Sequence, residues 1–358
     1  MSSTWGNNIR LSVFGGSHTG AIGVVLDNLP PNEKIDLDAV RVQMARRAPG
    51  RDKTATTRLE ADEPKILSGY LDGVTTGAPL AAVIENTNTR SKDYSDLKVH
   101  PRPGHADYTA AVRYQGANDI RGGGHFSGRL TACLVFAGAV CRQILERRGI
   151  VIGAHACRIG GVLDAPFDPV AVSAVELNAL NTRFFAVRDA KAEEAMRAEI
   201  ERARLAADSV GGIIECAAVG VPAGVGSPMF GGVENVFASI LYGIPAVKGV
   251  EFGAGFGVAD MRGSENNDPF YYDETGAVRT RTNHAGGILG GITTGMPLLF
   301  RIAVKPTPSI GQAQQTVDLA EKKDAALTIR GRHDPCIVPR AIPVAEACAA
   351  IALLDLLR

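Results

Sequence analysis

Side chains that can bind anions and exchange protons are concentrated in six short segments, each of which carries glycine or proline. Arginine binds phosphate or carboxylate through two parallel hydrogen bonds, and histidine gains or loses a proton near neutral pH. The pattern predicts a pocket for a small, strongly anionic and phosphorylated ligand. The segments are FGGSHTG (14–20), RRAPGRDK (46–53), RPGHADY (102–108), RGGGHFSGR (121–129), KPTPS (305–309) and GRHDPC (331–336).

The segment RGGGHFSGR leads directly into a long apolar run that predicts a buried helix. Backbone N–H groups at a helix start have no partner within the helix and favour an anion. Ser127 and Arg129 would add further donors there. This junction is therefore a candidate anion site.

Each segment also has a purely structural interpretation when it is taken alone. His18 on a glycine turn is compatible with a hydrogen bond to the backbone, and His105 with an ordinary polar loop. Asp334 before a proline could only initiate a turn, and the arginines at 46–47 could be a solvated helix end favoured by the macrodipole. These interpretations lose force jointly, because independent turns would not all collect the same chemistry.

Other kinds of site lack their sequence signatures. There is no phosphate-binding loop of the G-x-x-x-x-G-K-[ST] type, no H-E-x-x-H and no nucleophile elbow, and GAGFGVAD misses the dinucleotide spacing. The six cysteines form no C-x-x-C pair and lie mostly in apolar runs, which indicates buried thiols rather than a zinc site or disulfides. No metal is predicted.

Composition narrows the class of protein. The 358 residues are 45% hydrophobic and 21% charged, which is typical of a globular chain rather than a disordered one. The formal net charge is zero, so a nucleic-acid partner is not expected. The N-terminus has no apolar signal region, and the run LTACLVFAGAV is too short to span a bilayer. We expect a cytoplasmic protein with no membrane partner.

Hydrophobic periodicity predicts a mixed α and β chain. No proline-rich or single-sign stretch marks a boundary, so residues 1–358 are expected to form one domain. Segments 20–32 and 211–224 resemble each other faintly, which leaves duplication and coincidence both open. Strands are predicted at 10–15, 23–30, 80–86, 212–222 and 299–306, and helices at 36–47, 128–148, 189–207 and 343–357, the last with Pro343 at its first position.

Taken together and in this order, the segments resemble the chorismate synthase family along essentially the whole chain. The matching motifs are GGSHTG, RRAPG, ILSG, RPGHADYT, RGGGHFSGR, DSVGGIIE, GSENNDP, GGILGGITTG, KPTPS and GRHDPCIVPRAIPVAEA. The resemblance implies a lyase that converts 5-enolpyruvylshikimate 3-phosphate to chorismate by 1,4-anti elimination, the last step of the shikimate pathway. It further implies a need for reduced FMN without net redox change. Some members reduce the flavin with NADPH and others use an outside reductant, and both stay open here.

The resemblance also implies an architecture. The family fold is α+β, a β-α-β sandwich with helices packed between two antiparallel sheets, and it assembles as a homotetramer.

Roles follow from the resemblance one residue at a time. His18 should protonate the departing phosphate, His105 should supply a proton near flavin N1, and Asp334 should help to remove a proton from flavin N5. The substrate-binding residues are expected to be Arg47, Lys53, Arg102 and Arg129. The cofactor-binding residues are expected to be His125, Phe126, Ser127, Ala246, Gly290, Lys305, Pro306, Thr307, Pro308, Ser309 and Arg332.

The sequence departs from the family pattern in two of these segments. Residues 16–20, GSHTG, stand where many members have GESHG, and HFSG stands where many have RSSA. Two rival functions therefore remain. A different flavin-dependent oxidoreductase would consume reductant in proportion to product, and a silent flavin-binding or scaffolding protein would release no phosphate.

Overall fold

The computed structural model describes residues 3–50, 62–87, 97–329 and 334–358 of the chain. Some of its strands alternate more and less buried residues, as strands with one solvated face do, and others are buried along most of their length. The strands are β1 Thr4–Trp5, β2 Arg10–Gly15, β3 Ala21–Asp27, β4 Pro64–Ser68, β5 Tyr70–Leu71, β6 Val74–Thr75, β7 Leu80–Glu85, β8 Val151–Ile159, β9 Val162–Leu163, β10 Gly212–Val219, β11 Val247–Phe252, β12 Phe270–Tyr272, β13 Val278–Thr280, β14 Ile288–Leu289, β15 Ile292–Thr293, β16 Leu298–Val304, β17 Ala313–Asp318 and β18 Lys323–Thr328.

Some of the helices begin at a residue whose side chain caps the first turn. Asp36 and Asp189 each accept a hydrogen bond from a backbone N–H group in the first turn of the helix that follows. The helices are α1 Leu37–Arg47, α2 Asp107–Arg113, α3 Thr131–Glu146, α4 Ala174–Leu180, α5 Ala190–Leu205, α6 Val233–Leu241, α7 Gly263–Asn266 and α8 Val338–Leu356.

Two five-stranded antiparallel sheets form the framework, which makes the chain α+β. The first sheet has the order β1-β2-β3-β7-β4 and the second β11-β16-β10-β8-β9. Helices α3 and α8 pack against each other; α3 contacts β2 and β3 of the first sheet, and α8 contacts β8 and β10 of the second. One continuous cluster of buried apolar side chains includes both helices and both sheets.

The two sheets share a local motif that supports an internal duplication. Thr75 in β6 and Thr293 in β15 each donate a side-chain hydrogen bond of 2.6 Å to a proline carbonyl, Pro30 O and Pro222 O. Those prolines follow the middle strands, β3 and β10, which carry the two similar segments of the sequence. The same contact therefore joins a hairpin to the central strand of each sheet.

The predicted start of the last helix is wrong. Helix α8 begins at Val338 rather than at Pro343, and Pro343 lies inside it. Pro339 occupies the first turn instead, where its missing N–H is not needed. Because Pro343 lies so close to the helix start, it removes only one early backbone bond, which the buried helix tolerates.

The described residues contain one helical segment long and apolar enough to cross a membrane, Gly128–Glu146, which includes α3. Most of it is buried inside the protein. It packs against α8 and the first sheet, as a core helix does.

Candidate active site

A cavity of about 1070 Å³ collects most of the predicted functional residues. Its wall includes β1, the end of α1, the glycine segment before α3, the loop after β16 and the start of α8. A cavity of this size is large enough for more than one small ligand. The predicted residues on its wall are Arg47, Arg102, His105, His125, Phe126, Ser127, Arg129, Ala246, Lys305, Thr307, Pro308, Ser309 and Asp334.

Arg47 and Arg129 share one buried carboxylate. Arg47 donates to Asp62 Oδ2 at 2.5 Å, and Arg129 donates to Asp62 Oδ1. Burial opposes ionisation of Asp62, but the charges of Arg47 and Arg129 overcome it and lower the pKa of that carboxyl. One negative charge thus holds two arginines side by side and leaves a net positive charge at the cavity wall.

His105 is oriented by Asp107 at the start of α2. Its Nδ1 lies 2.6 Å from Asp107 Oδ1 and 3.1 Å from Arg102 Nη2. A single ring nitrogen cannot both donate to Asp107 and accept from Arg102. The ionised carboxylate of Asp107 can only accept a hydrogen bond. Burial opposes that ionisation, but hydrogen bonds from Arg102 and His105 hold the pKa of Asp107 well below its usual range. Nδ1 therefore carries the proton, and Nε2, which faces Gly123, is the ring atom left for a ligand.

Arg102 connects this group to the loop after β16. It donates to both carboxylate oxygens of Asp107, at 2.7 and 2.8 Å, and to Ser309 Oγ at 3.2 Å. Its guanidinium is buried and its position is fixed by these bonds. Lys305, from the same loop, donates to Gly104 O at 2.9 Å. Burial lowers the pKa of this lysine, and nearby Lys248 acts in the same direction.

Asp334 is far from these residues in the sequence, but it lies on the wall of the same cavity. Arg340 Nη1 donates to Asp334 Oδ2 at 2.6 Å, and Arg340 Nε donates to Arg47 O at 3.1 Å. Arg340 also lines the cavity, although the sequence analysis did not single it out. Its position six residues after a candidate acid was the available signal in the sequence.

Three consecutive glycines before α3 have positive φ angles, which other residues rarely adopt. At Gly122, an added Cβ would also lie 2.1 Å from the ring of His18, so the imidazole packs directly on this glycine. Gly122 lines the cavity, but His18 does not. The structure therefore places His18 behind the cavity wall, buried, with Ser17 Oγ 3.2 Å from its Nδ1.

The residues after these glycines have different surroundings. His125 bridges two parts of the N-terminal region: Nδ1 donates to Gly15 O at 2.8 Å, and Nε2 lies 2.7 Å from Ser3 Oγ. Phe126 is 38% exposed and packs edge-on against Tyr114, another cavity residue. Ser127 caps the helical turn that follows by accepting from Arg129 N.

The loop at 305–309 contains polar groups with hydrogen-bond partners and one buried polar group without a described partner. Thr307 Oγ1 is buried and has no hydrogen-bond partner among the described residues. Ala246 has a φ of 77° and accepts a bond of 2.9 Å from Lys305 N, which holds this loop beside the cavity. Pro306 is exposed and does not line the cavity.

One other predicted site residue among those the structure describes, Gly290, is not brought to the cavity. Gly290 is exposed at the two-residue turn between β14 and β15, with a φ of 61°, and does not line the cavity. A hairpin turn of this kind requires positive φ, which accounts for a glycine there. Lys53 and Arg332 lie outside the described residues.

The described cavity wall is strongly cationic. Its one acidic residue is Asp334, against six arginines and lysines. Even when the adjoining Asp62 and Asp107 are included, positive charge exceeds negative by three. The cations are Arg47, Arg102, Arg113, Arg129, Lys305 and Arg340. This balance suits a ligand with several negative charges. Among the described residues, no group of three or more histidine, cysteine, aspartate or glutamate side chains could hold a metal ion.

Comparisons with known proteins agree along the chain. A family model described as chorismate synthase matches residues 9–357. The chorismate synthase of Thermococcus kodakarensis is 49% identical over 350 residues, covering 98% of this chain and 96% of that protein. That of Lancefieldella parvula is 44% identical over 368 residues, covering 100% and 96%.

A comparison of folds leads to the same family, at a much lower sequence identity. A crystal structure of chorismate synthase matches with a TM-score of 0.76 at 26% identity, covering 99% of this chain and 92% of that one. Both the sequence and the fold thus match over nearly the full length, and the chain belongs to the chorismate synthase family.

Proposed function

We propose that this cavity is where the chain, as a chorismate synthase of the shikimate pathway, binds 5-enolpyruvylshikimate 3-phosphate beside reduced FMN. The observation that carries the proposal is the excess of cations on one wall that also holds His105 and Asp334. Substrate and flavin both carry phosphate, and the substrate also carries carboxylates. A cavity of about 1070 Å³ has room for both molecules.

The residues present fit a flavin. Thr307 Oγ1 is a buried polar atom without a described partner, on the loop that the family resemblance assigns to cofactor binding. A buried hydroxyl without a partner is costly, and a hydrogen bond to a ligand would remove that cost. Phe126 and Tyr114 add apolar surface suited to an aromatic ring. When bound, reduced FMN would lend an electron to the substrate and take back hydrogen.

The chain's own groups would bind the substrate and move protons. Arg47 and Arg129, held together by Asp62, would attract a phosphate or carboxylate through the positive charge that Asp62 leaves uncompensated. His105, once protonated on both ring nitrogens, would deliver the proton of Nε2, because Nδ1 is engaged by Asp107. Asp334 would accept a proton.

His18 remains the proposed proton donor to the departing phosphate. Its ring packs against Gly122, which does line the cavity, so only this glycine segment separates the imidazole from the ligand space. The absence of a side chain at Gly122 is required for the imidazole to pack there. Flavin contacts of Gly290, Pro306 and Arg332, and a substrate contact of Lys53, are carried by the family resemblance alone.

The same proposal extends to architecture and setting. Contacts of α3 with the first sheet and of α8 with the second support a β-α-β sandwich with helices in the middle layer. The continuous apolar cluster supports one domain over 1–358. A homotetramer in the cytoplasm, with NADPH or an outside reductant supplying the flavin's electrons, follows from the family resemblance.

An anaerobic assay tests the function. Purified protein, the enolpyruvyl substrate and FMN are mixed and reduced with dithionite, and chorismate and free phosphate are followed together. Equal release of both, with flavin acting catalytically, is expected. Reductant consumed in proportion to product would indicate a different flavin-dependent oxidoreductase, and FMN binding without phosphate release would indicate a silent flavin-binding protein.

A further inference from the structure

We propose that Arg340 is a positioning residue, which orients Asp334 for proton transfer and connects it to the anion-binding residue Arg47. Arg340 Nη1 lies 2.6 Å from Asp334 Oδ2, and its Nε donates to Arg47 O at 3.1 Å. The inference rests on the proposed function, since it assumes that Asp334 accepts a proton in the reaction.

The location of Arg340 is electrostatically unfavourable. It lies in the first turn of α8, where the helix dipole disfavours a positive charge. Its side chain is only 14% exposed, and burial lowers the pKa of its guanidinium while Asp334 opposes that effect. A cation in such a place is costly unless a partner compensates it, and Asp334 is that partner.

The guanidinium of Arg340 is held in one orientation, and it therefore limits the movement of the Asp334 carboxylate. Its contacts with Asp334 and with Arg47 O use two different nitrogens of one planar group, so the plane cannot rotate without losing one bond. The carboxylate therefore keeps a fixed direction relative to the end of α1, where Arg47 lines the cavity. A lysine could reach Asp334 but could not make both contacts.

Two other roles for Arg340 lead to different measurements. Because Arg340 lines the cavity, it could bind the substrate's anionic groups directly, and its loss would then raise KM and the substrate dissociation constant. If it only stabilised the fold, its loss would lower the melting temperature and would act independently of Asp334. A positioning role instead lowers kcat and depends on Asp334.

A double-mutant cycle separates these roles. Wild type, Arg340→Met, Asp334→Asn and the double variant are compared for kcat, KM, FMN dissociation constant and melting temperature. We expect Arg340→Met to lower kcat about 10²-fold, the scale of a general base, with KM and FMN affinity changed less than about threefold. The same substitution should have little further effect in Asp334→Asn, because the group it positions is gone. Arg340→Lys should give an intermediate kcat.

Several results would overturn the inference. These are equal losses in both backgrounds, a rise in KM or in the FMN dissociation constant with kcat unchanged, and full activity of Asp334→Asn. Arg204→Met is the matched control, since it breaks an arginine–carboxylate pair of 2.6 Å with Glu201 on the exposed face of α5. Chorismate formation by the wild type decides the proposed function separately from the cycle.

Discussion

The Nδ1 atom of His105 lies 2.6 Å from Oδ1 of Asp107, two residues further along the chain. Asp107 is buried, and Arg102 binds both of its oxygens, so the carboxylate is ionised and fixed before any ligand enters. The imidazole is thereby held in one tautomer, with Nε2 directed away from its support. A histidine oriented in this way is prepared to exchange a proton at one defined atom.

Replacement of Asp107 should test this arrangement. In Asp107→Asn the amide can turn its NH₂ group towards Nδ1, which would favour the other tautomer and misdirect the ring. We expect kcat to fall about 10²-fold, within the range of general acid–base catalysis, with a smaller change in KM. Steady-state chorismate formation under anaerobic conditions is the measurement. A variant with wild-type kcat would show that the tautomer of His105 does not matter.

His105 itself should be needed for turnover but not for folding. The side chain lies at the edge of a cavity rather than in the apolar core, so His105→Ala leaves little to repack. We expect a folded protein with the wild-type melting temperature to within a few degrees and most turnover lost. Thermal unfolding and the chorismate assay on the same preparation check both halves of this expectation.

Arg129 should contribute mainly to ligand affinity. Its removal in Arg129→Ala takes one of the two cations from Asp62 and deprives an anionic ligand of a charged donor. A hydrogen bond to a charged group is worth about 1.5–3 kcal/mol, so the substrate dissociation constant should rise roughly 10- to 100-fold. Isothermal titration with the substrate measures this change. Unaltered affinity would remove Arg129 from the proposed anion site.

The substrate affinity of Arg129→Lys provides the comparison. Lysine keeps the positive charge, but it cannot donate to Asp62 and Asn86 in the fixed directions that arginine uses. Partial recovery of affinity would assign the remaining loss to bidentate geometry. Full recovery would show that charge alone is sufficient.

The sequence predicted five of the ten strands in the two sheets, together with the cationic segments, because these depend on local signals. β-Branched residues and flanking turn residues mark β2, β3 and β10. The sequence could not assign directions to consecutive arginines. Arg46 and Arg47 both end α1, yet Arg46 is buried against Glu346 at 2.5 Å while Arg47 lines the cavity. Only the packing of α8 against α1 decides which arginine is structural.

Ion-pair partners that are distant in sequence could not be predicted either. Asp62 lies 15 residues after Arg47 and 67 before Arg129, and no local pattern connects the three. The same holds for His155, which lies between two buried acids that come from later segments.

The six cysteines should be unreactive in the native protein. All are buried, as predicted, and burial raises the pKa of the Cys133 and Cys336 thiols to about 12 and of Cys157 to about 11. A thiol must ionise to react, so a disulfide reagent at pH 8 should find no rapidly reacting group. In guanidinium chloride the same reagent should detect six. A fast-reacting thiol in the native state would contradict the burial described.

His155 should make stability depend on pH. It is 0% exposed, with Nδ1 2.8 Å from Asp164 and Nε2 3.0 Å from Glu215. Burial opposes a charged imidazole, but the bonds to Asp164 and Glu215 overcome it and raise the pKa of His155 above its ordinary 6.5. Because the folded pKa is the higher one, this stabilisation is complete below pH 6.5 and is lost as pH rises through the folded value.

The substitution His155→Gln isolates that contribution. Loss of the central cation leaves two buried carboxylates facing each other, which should cost about 3–5 kcal/mol at pH 6. The difference in unfolding free energy between wild type and variant should shrink as pH rises above neutrality, since the wild type then also loses its cation. Urea unfolding of both proteins from pH 6 to pH 9 measures it. A difference that stays constant over that range would mean that His155 is neutral in the folded state throughout.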